Sequence, residues 1–301
     1  MLVYFLEQEM NARYQLLCWD SLKKIKDIAN EVVDCIITSP PYFMGKDYDT
    51  SIKIEDFCEI HKAIFSDLYR ILKKWGNLCR QVGYHTMWYE KIPLDYLVYS
   101  IINQVNQSLD DEDEKLYLKN RIIRTFWHGL HSKKKFSGRH ETILWFSKGK
   151  ESFFDLDAVR VPQKYPWKTY YKWEKKWEFS WNPLGKNPWD VWEIPNVKAN
   201  HIEKTQHPCQ FPVALIERLV KSLCPPDWVV LDPFMGSGTT GVASLLHGRR
   251  FIWIELKKEY YEIAKNRCED TIQWKIKYRI DKPVYRPSKN LAVAKKPEFF
   301  I

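Results

Sequence analysis

Several things are missing from this 301-residue chain. None of its seven cysteines (18, 35, 58, 79, 209, 224 and 268) stands in a Cys-x-x-Cys spacing. Most sit in apolar stretches, so they read as buried, reduced thiols of a cytoplasmic protein rather than as a zinc site or a disulfide frame. No apolar run reaches the roughly 18 residues that a membrane-spanning helix needs. The N-terminus lacks a basic region followed by an apolar core and cleavage site, so no signal peptide is expected. There is no Gly-x4-Gly-Lys-Ser/Thr loop, which argues against a P-loop NTPase. No internal repeat and no metal-ligand cluster stands out.

Positive charge is in excess: 47 Lys and Arg against 38 Asp and Glu, a net charge of +9. This favours a polyanionic partner without naming it. Aromatics are abundant, with 14 Trp and 17 Tyr. Basic and aromatic residues together suit a surface that holds phosphates and unstacked bases.

Strand and helix patterns alternate along most of the chain. Gln15–Cys18 and Asp34–Thr38 read as strands, and Ile54–Lys73 carries apolar residues at helical spacing. Gly76 is expected to stop that helix, with a strand over Asn77–Gly83. Ile92–Leu109 reads as a helix, and Arg121–Trp127 and Glu141–Phe146 as strands. From Pro212 the pattern is helix (to Leu223), strand (Trp228–Leu231), helix (Thr239–His247), strand (Phe251–Ile254) and helix from Lys257. This alternation predicts an α/β fold with a doubly wound, mostly parallel sheet. Between its two halves lies a stretch of different character. Tyr165 to Trp192 holds ten aromatics, six of them Trp, among lysines. Trp173, Trp177 and Trp181 recur every four residues, which predicts a helical stripe, in the core of a small inserted module rather than stacked on bases. The expected division is 1–130, 131–200 (the insert), 201–280 and a basic tail, 281–301.

Two motifs carry chemistry. Thr38-Ser39-Pro40-Pro41-Tyr42 follows the apolar run Val-Val-Asp-Cys-Ile-Ile. Prolines lack an N–H and fix φ, so the chain leaves the ladder there. The carbonyls of Ser39 and Pro40 are then acceptors beside a hydroxyl and a ring, a site for a planar group bearing an NH2. The second motif is Asp232-Pro233-Phe234-Met235-Gly236-Ser237-Gly238-Thr239-Thr240, a glycine loop between strand and helix. Ligands bind at such carboxyl ends, and the helix start offers N–H groups. Glu255 ends the next strand, where an acid can meet ribose hydroxyls. Gly236-x-Gly238-x-x-Gly241 also matches the dinucleotide fingerprint, so a nicotinamide-dependent oxidoreductase competes. Asp232-Pro233-Phe234 before the first glycine argues against it.

Together and in this order, the two motifs resemble the beta class of DNA amino-methyltransferases. His207-Pro208-Cys209-Gln210-Phe211-Pro212, Asp190-Val191-Trp192 and Arg139-His140-Glu141-x-Ile143-Leu144-Trp145-Phe146 are similar to further segments of that family. The resemblance implies a Rossmann-like methyltransferase fold, S-adenosyl-L-methionine as cofactor and double-stranded DNA as substrate. It implies a catalytic set of Ser39, Pro40, Pro41 and Tyr42. It implies cofactor contacts at Asp20, Thr38, His207, Phe211, Pro212, Asp232, Pro233, Phe234, Gly236, Ser237, Gly238, Thr239, Thr240 and Glu255. Asp20 could instead cap the helix beginning near Ser21. Residues 131–200 are then the target-recognition region, with Lys133, Lys134, Lys135, Arg139, Lys175 and Lys176 as DNA contacts. The Ser-Pro-Pro-Tyr form points to cytosine N4, with adenine N6 as the alternative. A cognate restriction endonuclease would be a genetic rather than physical partner, and the protein a monomer or homodimer. Three residues depart from the family. Trp253 stands where Gly usually precedes Ile-Glu, and Arg80 and Gln81 interrupt a strand that tends to be apolar.

Overall fold

The structure, a computed structural model, describes residues 13–41, 53–87, 90–127, 129, 131–165, 167–171, 173–180 and 182–280. In chain order the elements are β1 (Tyr14–Cys18), α1 (Ser21–Lys24), β2 (Val33–Thr38), α2 (Ile54–Ile71), β3 (Leu72–Val82) and a hairpin of β4 (Tyr84–Met87) and β5 (Glu90–Pro93). There follow α3 (Leu94–Gln107), β6 (Leu116–Thr125), β7 (His140–Lys148), β8 (Val191–Glu193), α4 (Val213–Leu223), β9 (Val229–Asp232), α5 (Thr239–Leu246), β10 (Arg250–Glu255) and α6 (Lys258–Ile272). Eight strands form one sheet in the order β1-β10-β9-β2-β3-β7-β6-β8. All neighbours are parallel except β7, which runs antiparallel to β3 and β6.

Helices cover both faces, as the apolar patterns require. On α2, Phe57, Ile64, Phe65, Leu68 and Ile71 share one side and pack with Ile36, Leu78, Phe146 and Leu231. On the other face, Leu215, Leu219 and Val220 of α4 meet Ile37, Cys79, Trp145 and Trp253, with Ala243 of α5 and Ala264 of α6. β2 lies between the two cores, and all six of its residues are buried.

The expected α/β architecture is present, with corrections. Gly76 does not end α2. The helix stops at Ile71 and β3 begins at once. Gly76 lies inside β3, where the register against β2 slips between Val33 and Cys35. A Cβ at Gly76 would stand 2.9 Å from the Asp34 carbonyl oxygen. The glycine therefore permits a bulge pressed against the neighbouring backbone, one of its regular uses inside a strand.

The tryptophan stripe is not a helix. Trp173–Lys175 forms a single 3-10 turn. Trp177 has φ of 81° and is exposed, and Thr169 bridges Phe179 in antiparallel fashion. A left-handed residue stops a right-handed helix. Trp181 lies outside the described residues.

Nor is the 131–200 stretch separate from the sheet, since it contributes β7 in the interior and β8 at the edge. Cys35, Cys79, Cys224 and Cys268 are buried as expected, whereas Cys18 and Cys209 are exposed. Among the described residues, no helix is long and apolar enough to cross a membrane.

Candidate active site

β9 and β2 are parallel neighbours, yet the helices that follow them pack on opposite faces of the sheet. A crevice opens where such connections diverge, beyond the carboxyl ends of the strands. Both motifs sit there. Residues 39–41 have left the ladder, with Pro40 buried and Ser39 half-buried. Tyr42 lies outside the described residues. Across the crevice, the Thr38 hydroxyl donates to Asp232 Oδ1 over 3.0 Å. This bond ties together two motifs 194 residues apart.

Asp232 is the hub. The same Oδ1 accepts from Phe234 N at 3.1 Å, and Oδ2 accepts from the Thr240 hydroxyl at 2.6 Å. Burial pushes its carboxyl up to about 6, against the pull of those three hydrogen bonds. The loop it anchors turns through left-handed backbone at Gly236 (φ 51°) and Gly238 (φ 74°), which glycine adopts without strain. The Pro233 carbonyl accepts from the Ser21 hydroxyl. Gly241 has another role. A Cβ there would fall 1.3 Å from Trp253 Cζ2. The third glycine of the apparent dinucleotide fingerprint is thus the space into which Trp253 packs. The unusual Trp253 and Gly241 explain each other.

Glu255 ends β10 beside the loop. Its Oε2 accepts from Gly236 N and its Oε1 from Lys257 N, each at 2.9 Å. Burial raises its carboxyl above the ordinary value. Asp20 is the N-cap of α1, accepting from Leu22 N at 3.0 Å. His207 packs edge-on to Tyr260, with ring centroids 4.5 Å apart, and lies against Gly236. Burial first, then the charges of Lys204, Arg267 and Lys257, push it down to about 4, so the imidazole is neutral at pH 7. Phe211 joins the loop through its carbonyl, which accepts from the Thr239 hydroxyl at 3.2 Å. Pro212 is the N-cap of α4 and has no side-chain oxygen to offer.

Sequence reasoning missed the residues that brace this site. Glu203 Oε2 accepts from Val213 N at 2.9 Å, supplying from ten residues away the cap that Pro212 cannot. Arg267 of α6 is buried, and its Nη1 donates to the Ser237 carbonyl at 2.5 Å and to Thr239 Oγ1 at 3.0 Å. On the far side of β2, Glu141 Oε2 accepts from Arg124 Nη1 at 2.8 Å and from Gln81 Nε2 at 2.7 Å. Arg124 also donates to the Ile194 carbonyl and to Asn196. This knot ties β3, β7, β6 and the segment after β8. It accounts for the polar Gln81 buried in β3.

The expected DNA contacts divide in two. Lys133, Lys134 and Lys135 are exposed on the loop joining β6 to β7, and Arg139 pins its base by donating to the Gly129 carbonyl at 3.0 Å. Lys175 and Lys176 hold their ammonium groups 5.8 and 5.4 Å from the rings of Tyr170 and Trp177.

A mostly parallel sheet with an acid-anchored glycine loop at its switch point, facing a Ser-Pro-Pro strand end, defines the class. The fold is that of the Rossmann-like DNA methyltransferases. The PvuII DNA methyltransferase (cytosine-N4-specific) superposes with a TM-score of 0.65 at 18% identity, covering 87% of this chain and 92% of that one. TTHA0409 from Thermus thermophilus, complexed with S-adenosyl-L-methionine, gives 0.59 at 23% identity, covering 86% and 94%.

Residues 33–266 match the N6/N4 DNA methylase family, and the chain belongs to it. Type II methyltransferase M.BglII of Bacillus subtilis is 42% identical over 86% of this chain and 69% of its own length. M.ScaI of Streptomyces caespitosus is 35% identical over 84% and 81%. The DNA adenine methyltransferase YhdJ of Escherichia coli K12 is 31% identical over 83% and 81%.

Proposed function

We propose that this chain transfers a methyl group from S-adenosyl-L-methionine to the exocyclic amino nitrogen of a base flipped out of duplex DNA, cytosine N4 in preference to adenine N6. The observation that carries this reading is the Thr38–Asp232 hydrogen bond. It sets the strand end that offers acceptors to an amine directly beside the glycine loop.

The residues suit the cofactor. Gly236 and Gly238 let the loop turn tightly against His207 and Ala264, Glu255 presents a carboxylate for ribose hydroxyls, and the start of α5 offers N–H groups. Asp20 serves the adenine side with the oxygen its cap leaves over. Pro233, Phe234, Ser237, Thr239 and Thr240 shape the wall, and neutral His207 with Phe211 and Pro212 closes the methionine side. S-adenosyl-L-methionine supplies an electrophilic methyl group on a sulfonium.

The chain's own residues then prepare the nucleophile. An exocyclic amine is weak because its lone pair is conjugated with the ring. The Ser39 hydroxyl and Pro40 carbonyl each accept one of its N–H bonds and draw the nitrogen towards a tetrahedral form. Pro41 fixes the turn, and Tyr42 stacks on the base. Extruding that base costs a few kcal/mol of pairing and stacking. Holding donor and acceptor in contact supplies much of the acceleration. The preference for cytosine rests on the resemblance of Ser39-Pro40-Pro41-Tyr42 to the cytosine-N4 form of the motif, and the Ser39 hydroxyl is compatible with it, since it can accept from the amine and donate to the adjacent ring nitrogen. The adenine reading has its own support in the DNA adenine methyltransferase relative. The Type II methyltransferase relatives support a restriction endonuclease as genetic partner in a modification system.

Labelled methyl transfer to duplex DNA, followed by mass analysis of its nucleosides, tests the assignment. The expected product is N4-methylcytosine, and methyladenine alone would overturn the choice of base. Ser39→Ala should abolish turnover while S-adenosyl-L-methionine still binds. Full activity in that variant would refute the mechanism.

A further inference from the structure

Phe136 stands fully exposed at the tip of the loop between β6 and β7. One exposed apolar side chain needs no explanation by itself. Its surroundings supply one. Lys133, Lys134 and Lys135 precede it directly, and all three are exposed. The tip is held closed beneath them: Ser132 N donates to Ser137 Oγ at 2.9 Å, and Lys134 N to Ser132 Oγ at 3.4 Å. The base of the loop is pinned too. Phe126 N donates to the Arg139 carbonyl at 3.0 Å, and Gly138 presses against the Tyr84 hydroxyl. The loop is therefore braced, with an exposed phenyl ring directly after three exposed lysines.

The sheet register shows where that tip lies. Thr38 at the end of β2 is level with Arg80, Arg80 with Leu144, and Leu144 with Arg121. β6 and β7 run on past that level to the pair Thr125 and His140, four residues further. At about 3.3 Å per residue the strand pair runs ~13 Å beyond the level of Thr38, and so overhangs the Ser39–Pro40 turn by ~7–10 Å. Its strands β7 and β6 lie two and three strands from β2, and the overhang is at the carboxyl end of β2, the same end as the crevice. A duplex seated on the lysines brings its base stack to the phenyl ring.

We infer that Phe136 is a wedge that enters the duplex at the position the target base vacates and fills the gap in the stack. This rests on the proposed DNA methyl transfer with base flipping. The ring loses contact with water and gains stacking on the neighbouring bases, which offsets part of the energy of extrusion. Lys133, Lys134 and Lys135 hold phosphates alongside and carry the salt dependence. The ring adds a salt-independent increment.

The test uses the full chain and two duplexes that differ only at a mapped methylation site, one with the target base paired and one with it mismatched. Wild-type methylation of the paired duplex reports on the function proposed above. The ratio between the two duplexes reports on Phe136. Phe136→Ala should lower kcat/KM on the paired duplex by roughly tenfold or more. On the mismatched duplex, where extrusion is already cheap, the loss should be no more than about threefold. Phe136→Trp should retain most activity on both. The slope of DNA affinity against salt should be the same in Phe136→Ala as in wild type. Equal activity of Phe136→Ala and wild type on the paired duplex would overturn the wedge. So would an equal loss on both duplexes, which would make Phe136 an ordinary contact.

Discussion

At the scale of single residues, two buried groups at the glycine loop carry pH dependences of opposite sign. Asp232 moves from an ordinary 3.8 up to about 6, chiefly through burial. Between those values the folded chain holds its proton more tightly than the unfolded chain. Asp232 therefore stabilises the fold relatively more on the acid side, and that contribution falls as pH rises through the window. His207 moves from 6.5 down to about 4. Between those values the unfolded chain binds the extra proton, so stability rises with pH. Asp232→Asn keeps an acceptor for Thr38 and Phe234 and leaves Thr240 able to reverse its hydroxyl. It removes only the acid-favouring half. Relative to this variant, wild-type stability should drop by on the order of 2 kcal/mol between pH 4 and pH 7. Urea midpoints of both proteins across that range measure it, and a gap that does not change with pH would show that Asp232 titrates as an ordinary carboxylate.

At the scale of elements, α5 and β10 fit one another through Gly241 and Trp253. The indole is fully buried, edge-on to Phe251 with centroids 4.2 Å apart. Any Cβ at Gly241 would have to displace it. Gly241→Ala should destabilise the fold by about 2–3 kcal/mol or more through overpacking, despite the better helix propensity of alanine. Trp253→Phe in the same chain should recover part of that loss. A double-mutant cycle by denaturant unfolding reads the coupling, and additive effects would mean the two do not share space.

The same pair shows what sequence could and could not reveal. The strand–loop–helix order around Asp232 was legible, because apolar runs, glycines and a helical period are local signals. The reason for the third glycine was not, since it lies in the Trp253 side chain on another element. Glu203, Arg267 and the Arg124–Glu141–Gln81 knot were invisible for the same reason. Each acts on a backbone or carboxylate that is near only after folding. The tryptophan stripe misled because periodicity over three residues cannot report a positive φ at Trp177. Gly76 misled because a glycine after an apolar helical pattern reads as a stop, while its role as a bulge depends on Asp34 across the sheet.

At the scale of the whole molecule, the net charge of +9 matters through its placement. Lys133, Lys134 and Lys135 are exposed together on the hairpin that overhangs the crevice. Lys175 and Lys176 lean their heads over aromatic rings instead, so part of their charge already has a companion. Phosphate contacts release condensed counterions, and each one steepens the fall of log affinity with log salt by about 0.9 on duplex DNA. Replacing the three loop lysines with alanine should therefore flatten that slope by about 2.7, with the weakening greatest at low salt. Lys175→Ala with Lys176→Ala should flatten it by less than the ~1.8 that two full contacts would give. Fluorescence anisotropy of a labelled duplex titrated from about 50 to 200 mM salt resolves both differences. If the loop variant kept the wild-type slope while the 175/176 variant lost it, the duplex would be seated on the aromatic segment rather than on the hairpin.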